Sequence, residues 1–163
     1  MPYLGVDVGS SRIKAALMEE DGTIIGFNVV DVSDLIVNPE ENWFERDFSA
    51  LYDRFASAIR GVPYVERAEA ICVVATSGTV APVDACGRPL CRALLYNDKR
   101  AWKEAEEVSE LAAREGLGIF VSSYIVLPKL LWLRRHLRDF GAVRWVLHES
   151  DYINMRLSGE VAT

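Results

Sequence analysis

The sequence predicts an α/β domain whose mixed sheet opens with a three-stranded antiparallel meander and is flanked by helices. Three observations predict it. Apolar stretches of strand length alternate along the chain with stretches whose apolar residues recur at three and four positions. Asp21-Gly22, the residue pair of a tight hairpin turn, joins two strand-like segments near the start. Ala70 to Ala75 is a continuous apolar run, the pattern of a central strand buried on both faces.

Taken in order, Tyr3 to Gly9 is a short strand carrying one carboxylate, Asp7, near its end. Ile13 to Met18 and Thr23 to Val32 follow as the second and third strands of the meander. Asn38-Pro39-Glu40-Glu41 breaks the pattern. A helix then runs from about Asp47 to Arg60, with Phe48, Leu51, Tyr52, Phe55 and Ile59 on one face, and Gly61 and Pro63 end it. After the Ala70 to Ala75 strand, Val80 to Val83 pairs with Leu90 to Tyr96 across the turn at residues 84–87, which sets Asn97 and Asp98 just past a strand end. A second helix carries Ala101, Ala105, Val108, Leu111 and Ala112 and is stopped by Gly116. Pro128 opens a third, before a short strand from Val143 to Leu147 and a last helix from about Asp151 to Leu157. No internal repeat, low-complexity stretch or linker interrupts this, so 1–163 reads as a single domain.

Composition narrows the function classes. Eighteen Lys and Arg against twenty-four Asp and Glu give a net charge of −6, which argues against a broad nucleic-acid-binding face. The chain has no apolar run of the ~18–20 residues that span a bilayer and opens without a basic, apolar leader, so a cytoplasmic protein without a membrane partner is expected. Cys72, Cys86 and Cys91 have no paired spacing, and with only His136 and His148 to join them they are read as incidental thiols rather than a zinc site. Neither histidine has a Ser or Cys partner at a catalytic spacing.

Four polar clusters remain. Asp7-Val8-Gly9-Ser10-Ser11-Arg12-Ile13-Lys14 joins the first two strands with a small, hydroxylated turn. Such a turn exposes N–H and hydroxyl donors to phosphate oxygens, Lys14 or Arg12 adds positive charge, and Asp7 is a ligand type that Mg²⁺ favours. A tight hairpin with a solvated Asp explains the same residues. Thr76-Ser77-Gly78-Thr79 ends the most apolar strand, where open α/β sheets place ligand contacts, and its hydroxyls suit a polyhydroxylated substrate or their own backbone. Tyr96-Asn97-Asp98-Lys99-Arg100 groups an amide, a carboxylate and a guanidinium at a strand-to-helix junction, with Asp98 as a helix cap the plainer account. Trp43-Phe44-Glu45-Arg46-Asp47 reads as a loop packed by Trp43, with Asp47 capping the first helix.

In this order, the clusters resemble the amino-terminal half of FGGY-family carbohydrate kinases, which have the ribonuclease-H-like fold of the actin-like ATPases. Tyr3 to Leu17 is similar to the family's first phosphate motif, Asn42 to Asp47 to its G-W-x-E-Q-D-P segment, and Ile71 to Asp84 with Gly87-Arg88-Pro89-Leu90 to its substrate loop and hairpin. Tyr96-Asn97-Asp98-Lys99-Arg100-Ala101 resembles W-N-D-x-R-A, and Lys129-Leu130-Leu131-Trp132-Leu133 resembles the K-L-L-W-L helix. Asp151-Tyr152-Ile153, and Leu157 to Glu160 with Thr163, resemble D-Y-L and L-T-G-E-x-x-T-D. The resemblance implies ATP-dependent phosphorylation of a sugar hydroxyl with Mg²⁺. Asp7 would serve the metal and the transferred phosphoryl, Gly9, Ser10, Ser11, Arg12 and Lys14 the ATP phosphates, and Thr76, Ser77, Gly78, Asn97, Asp98 and Arg100 the sugar. Its partners would be sugar and ATP, and a homodimer stays open.

There are three departures from the family pattern. Arg12 stands where a small hydroxylated residue is usual, Tyr96 replaces Trp, and Thr76-Ser77-Gly78-Thr79 replaces the Q-M-H-G of xylulose kinases. The loop and Tyr96-Asn97-Asp98 look more like ribulose-type kinases, so a pentulose is expected. The family's general base and its C-terminal adenosine-binding domain have no counterpart in 1–163, and the chain stops inside a motif. An N-terminal fragment, inactive alone, is therefore expected. The alternatives are a non-catalytic sugar- or nucleotide-binding module on the same half-fold, and a different actin-like phosphotransferase.

Overall fold

The computed structural model describes residues 1–161. Thr163, the end of the expected L-S-G-E-x-x-T pattern, lies outside the described residues. The chain forms two compact units, one built from residues 1–36, 47–76 and 149 onward, the other from residues 37–46 and 77–148.

The first unit holds a four-stranded sheet in the order β3-β2-β1-β6. Strands β1 (Tyr3–Val8), β2 (Arg12–Met18) and β3 (Ile24–Asp31) form the expected meander, and Gly22 turns the β2–β3 hairpin at a φ of 88°. Strand β6 (Ala70–Ala75) lies parallel to β1, with Val8 opposite Ala75, which makes the sheet mixed. Alternation along β1 and β2 points Leu4, Val6, Val8, Ile13, Ala15 and Leu17 into the core. There they meet Phe48, Leu51, Phe55 and Ala58 of helix α1 (Phe48–Arg60) and Tyr152 and Ile153 of helix α4 (Glu149–Ser158). The Phe48 and Tyr152 rings pack 5.1 Å apart. Asp47 caps α1 as expected, its Oδ1 accepting from the Ser49 and Ala50 amides at 2.7 and 3.0 Å.

The sequence expectation for β6 needs correction. Among the described residues it is the outer strand of its sheet, paired with β1 alone, and Ile71 and Val74 are exposed. A continuous apolar run reports that both faces tolerate burial, and does not report how many neighbours the strand has. The opposite sheet face carries exposed Tyr3, Met18, Ile24, Phe27 and Val29, with Asp7, Arg12 and Lys14 toward one end.

Gly26 in β3 marks a close approach of backbone to backbone in this unit. A Cβ there would overlap the Pro63 carbonyl oxygen and the Val62 side chain. Backbone cannot swing away as a side chain does, so Gly26→Ala is expected to cost about 1–3 kcal/mol as an overpacked site. Urea unfolding measures this, and a change below about 0.5 kcal/mol would contradict it.

The second unit contains the sheet β4-β5-β8-β7-β9. Its strands are short: β4 (Ile36–Val37), β5 (Glu45–Arg46), β7 (Val80–Val83), β8 (Ala93–Leu94) and β9 (Trp145–His148). The expected pairing of Val80 to Val83 with Leu90 to Tyr96 shrinks to Val80 opposite Leu94 and an isolated Val83–Pro89 bridge. Pro82 and Pro89 lack the N–H donors a continuous ladder needs. Helices α2 (Trp102–Arg114) and α3 (Val126–His136) complete the unit. Helix α3 starts two residues before Pro128, which occupies its third position, where the missing N–H has no intrahelical partner to lose. Helix α4 likewise starts at Glu149 rather than Asp151, directly after β9. No helix among the described residues is long and apolar enough to cross a membrane.

Candidate functional site

Parallel pairing of β1 and β6 brings their carboxyl ends side by side in the first unit. Val8 lies opposite Ala75, and the Thr76 amide continues the ladder to the Val8 carbonyl at 3.3 Å. The Asp7-to-Lys14 turn and Thr76 therefore share one sheet end, the place where open α/β sheets bind ligands. Asp7 points to the open sheet face, opposite Lys14 on β2, with Nζ and Oδ2 3.5 Å apart and both side chains more than half exposed. Such a pair is weakly held and available to a ligand. The turn is closed by the Gly9 amide donating to the Arg12 carbonyl at 2.9 Å, so that N–H is committed to the backbone. A Cβ at Gly9 would sit 3.1 Å from that same oxygen, which explains the glycine. Ser11 and Arg12 are exposed, and the Ser11 carbonyl accepts from the Val32 amide at 2.8 Å.

Ser77 and Gly78 follow Thr76 directly in the chain and begin the stretch belonging to the second unit. Ser77 is exposed, whereas Thr79 is buried and its Oγ1 accepts from the Tyr96 amide at 3.2 Å. Asn97 is partly buried, and its Oδ1 is enclosed with no hydrogen-bond partner among the described residues. A buried amide oxygen in that state costs free energy until a donor reaches it.

Asp98 and Arg100 are enclosed together. Asp98 is fully buried and accepts from the Phe44 amide at 2.7 Å, from the Arg100 amide at 2.9 Å, and from the Arg100 guanidinium at 2.8–3.0 Å. The other side of that guanidinium meets Glu45 Oε1 at 2.8 Å, and its face lies 3.9 Å from the Trp43 ring centroid. The cap of α2 is Ala101, so the helix-cap account of Asp98 does not hold. Its carboxylate instead joins the 43–46 segment to the 96–100 loop, linking the two polar clusters.

Lys129 escaped the residue-level reading. It is fully buried, and its Nζ donates to the carbonyl oxygens of Gly78 at 2.8 Å, Leu95 at 2.7 Å and Tyr96 at 3.2 Å. Burial lowers its pKa from the ordinary 10.5 to about 8, with Arg100 adding to the shift and Asp98 opposing it. A lone Lys in Val-Leu-Pro-Lys-Leu-Leu-Trp-Leu was the available signal, because a charge in an apolar stretch needs partners. Burial also pushes the Cys91 thiol up to about 11, away from thiolate chemistry at neutral pH. Among the described residues no cluster of three or more His, Cys, Asp or Glu is arranged to hold a metal.

Comparison with known proteins adds to this geometry. Residues 2–163 match the FGGY family of carbohydrate kinases, N-terminal domain. The xylulose kinase of Escherichia coli (strain K12) is 28% identical over 170 residues, covering 99% of this chain and 34% of the relative. That of Klebsiella pneumoniae is 26% identical over 167 residues, with 99% and 34% covered. Among solved structures, a xyloylose kinase from Brucella ovis superposes with a TM-score of 0.87 at 28% identity, over 98% of this chain and 35% of that one. A xylulose kinase from Rhodospirillum rubrum gives 0.89 at 26%, over 99% and 35%. The chain thus spans about a third of the length of these relatives.

Proposed function

The chain belongs to the FGGY family of carbohydrate kinases as an N-terminal domain, and on that premise we propose that it is the sugar-holding and phosphate-facing part of an enzyme that transfers a phosphoryl group from ATP to a sugar hydroxyl, with a pentulose such as ribulose or xylulose as substrate. One observation carries the reading: the exposed Asp7 carboxylate, the Gly9 turn and Thr76 converge at the carboxyl ends of β1 and β6, and the hydroxylated loop follows immediately. The pentulose assignment is supported by relatives that are themselves named xylulose kinases.

The residues present fit ATP and Mg²⁺. A single exposed carboxylate suits a cation that binds proteins through one or two carboxylates and takes its other ligands from phosphates and water. Bound there, Mg²⁺ would neutralise charge on the phosphates. Asp7 would hold the metal, and Arg12 and Lys14, both exposed and cationic, would attract the phosphates together with the Gly9-Ser10-Ser11 turn. Ser77 and Asn97 would hydrogen-bond the sugar, Asn97 through its enclosed Oδ1, which needs a hydroxyl donor. Asp98 and Arg100, with their polar atoms turned on each other and on Glu45, would support that loop from behind. Relatives about three times as long support a division of labour in which the general base and the adenosine pocket come from other parts of the full-length enzyme.

Pentulose binding tests this directly. D-ribulose, L-ribulose and D-xylulose are each tried against the intact protein, and one of them is expected to raise its Tm, by an amount that corresponds to about 2.7 kcal/mol at a hundredfold excess over Kd. Asn97→Leu, which cannot accept the hydroxyl, is expected to remove the shift. No shift with any pentulose, hexulose or polyol would overturn the reading.

A further inference from the structure

We propose that Lys129 is the positioning residue of the sugar-binding loops, its enclosed ammonium cross-linking carbonyl oxygens of both loops and so setting where Ser77 and Asn97 present their hydrogen-bonding groups. The proposal rests on the reading of those loops as the sugar site.

An ammonium has three N–H donors and no acceptor, and three carbonyls use all of them. Gly78 precedes β7, and Leu95 and Tyr96 follow β8, so the three oxygens lie where the sheet ladder has run out. Without Lys129 the Gly78 and Tyr96 carbonyls would lose this partly enclosed donor, while the Leu95 carbonyl would keep the Asp98 amide at 3.0 Å. Two further contacts fix the same junction. The Tyr96 amide donates to Thr79 Oγ1 at 3.2 Å, and Gly78 holds a φ of 82°, where a Cβ would crowd the Tyr124 carbonyl oxygen at 3.1 Å and Tyr96 Cβ at 3.4 Å.

The sequence positions make the consequence specific. Ser77 immediately precedes Gly78, and Asn97 immediately follows Tyr96. Each sugar-facing side chain is therefore one residue from a carbonyl that Lys129 holds. Losing the ammonium frees both carbonyls to turn toward water, which rotates the adjoining peptides and moves the two side chains apart. Phosphate handling at the Asp7 turn involves none of these bonds.

The test uses the intact enzyme carrying Lys129→Met or Lys129→Arg, with Leu133→Ala as a control on the same helix at a buried position. Lys129→Met is expected to raise KM for the pentulose about tenfold or more while KM for ATP changes less than about twofold. Hydrogen exchange of the amides at 77–79 and 95–98 should quicken with it. Lys129→Arg, which keeps the charge, should recover part of the sugar KM. Leu133→Ala should lower Tm without this split. Equal changes in both KM values, or faster exchange spread along α3 as in the control, would overturn the proposal. Where Lys129→Met does not fold, Lys129→Arg is read by the same split and the same exchange pattern. An intact wild-type enzyme that phosphorylates no sugar would defeat the functional reading instead, and exchange confined to the two loops would still support the positioning role.

Discussion

Asp98→Ala is expected to cost about 3–5 kcal/mol of folding stability, because it leaves the Arg100 guanidinium enclosed without its main counter-charge. The substitution removes a carboxylate that accepts from the Phe44 amide, the Arg100 amide and the Arg100 side chain together. Glu45 still faces the other edge of the guanidinium, yet it cannot reach the Phe44 amide that Asp98 satisfies. The loss corresponds to a fall in Tm on the order of 10 °C for a domain of this size. Trp43 stacks on Arg100 and meets Trp132 edge-on at 5.5 Å, so tryptophan fluorescence reports the network during urea unfolding. Adding Arg100→Met should restore at most a small part of the loss, since it removes the enclosed guanidinium but leaves the Glu45 carboxylate without it. A loss of less than about 1 kcal/mol, the range of solvent-screened surface pairs, would contradict the enclosed network.

Asp7→Asn should do the opposite: leave the fold intact and remove the chemistry. The side chain is more than half exposed and its Lys14 contact is 3.5 Å, so stability should change by less than about 1 kcal/mol. In the intact enzyme kcat is expected to fall by about 10²–10³-fold, the cost of losing one preorganised electrostatic group at a site of developing charge. KM for the sugar should stay within about twofold, because the sugar contacts assigned to Ser77 and Asn97 are untouched. Retained kcat, or a sugar KM that rises with it, would remove Asp7 from the role proposed for it.

Much of the fold was legible because its signals are local. Asp21-Gly22, the alternation along β1 and β2, and the Asp47 cap with helical spacing behind it all lie within a few residues of the structure they specify. Ala70 to Ala75 was read correctly as a strand and incorrectly as a central one, since pairing partners are a property of the whole sheet. The β7–β8 pairing is shorter than the apolar pattern predicts because Pro82 and Pro89 carry no N–H for the ladder. In the candidate site, the residue types of Asp7, Gly9 and Thr76 suggested a ligand end, and the parallel register of β1 and β6 explains their convergence. What one sequence could not reveal was the sorting of polar residues by partner. Asp98 and Arg100, expected near the sugar, hydrogen-bond each other and the 44–45 segment more than 50 residues away, and Lys129 sits 30 residues or more from every carbonyl it holds.

The central claim is that this domain supplies the sugar and phosphate contacts of a pentulose kinase that needs the rest of the enzyme for turnover. The most direct test is ATP-dependent formation of sugar phosphate from D-ribulose, L-ribulose and D-xylulose, followed by mass spectrometry, with the intact protein and the 163-residue chain assayed in parallel. The account predicts a sugar monophosphate from at least one pentulose with the intact protein and none with the 163-residue chain. Turnover by the 163-residue chain alone, or a pentulose bound but never phosphorylated by the intact protein, would contradict it.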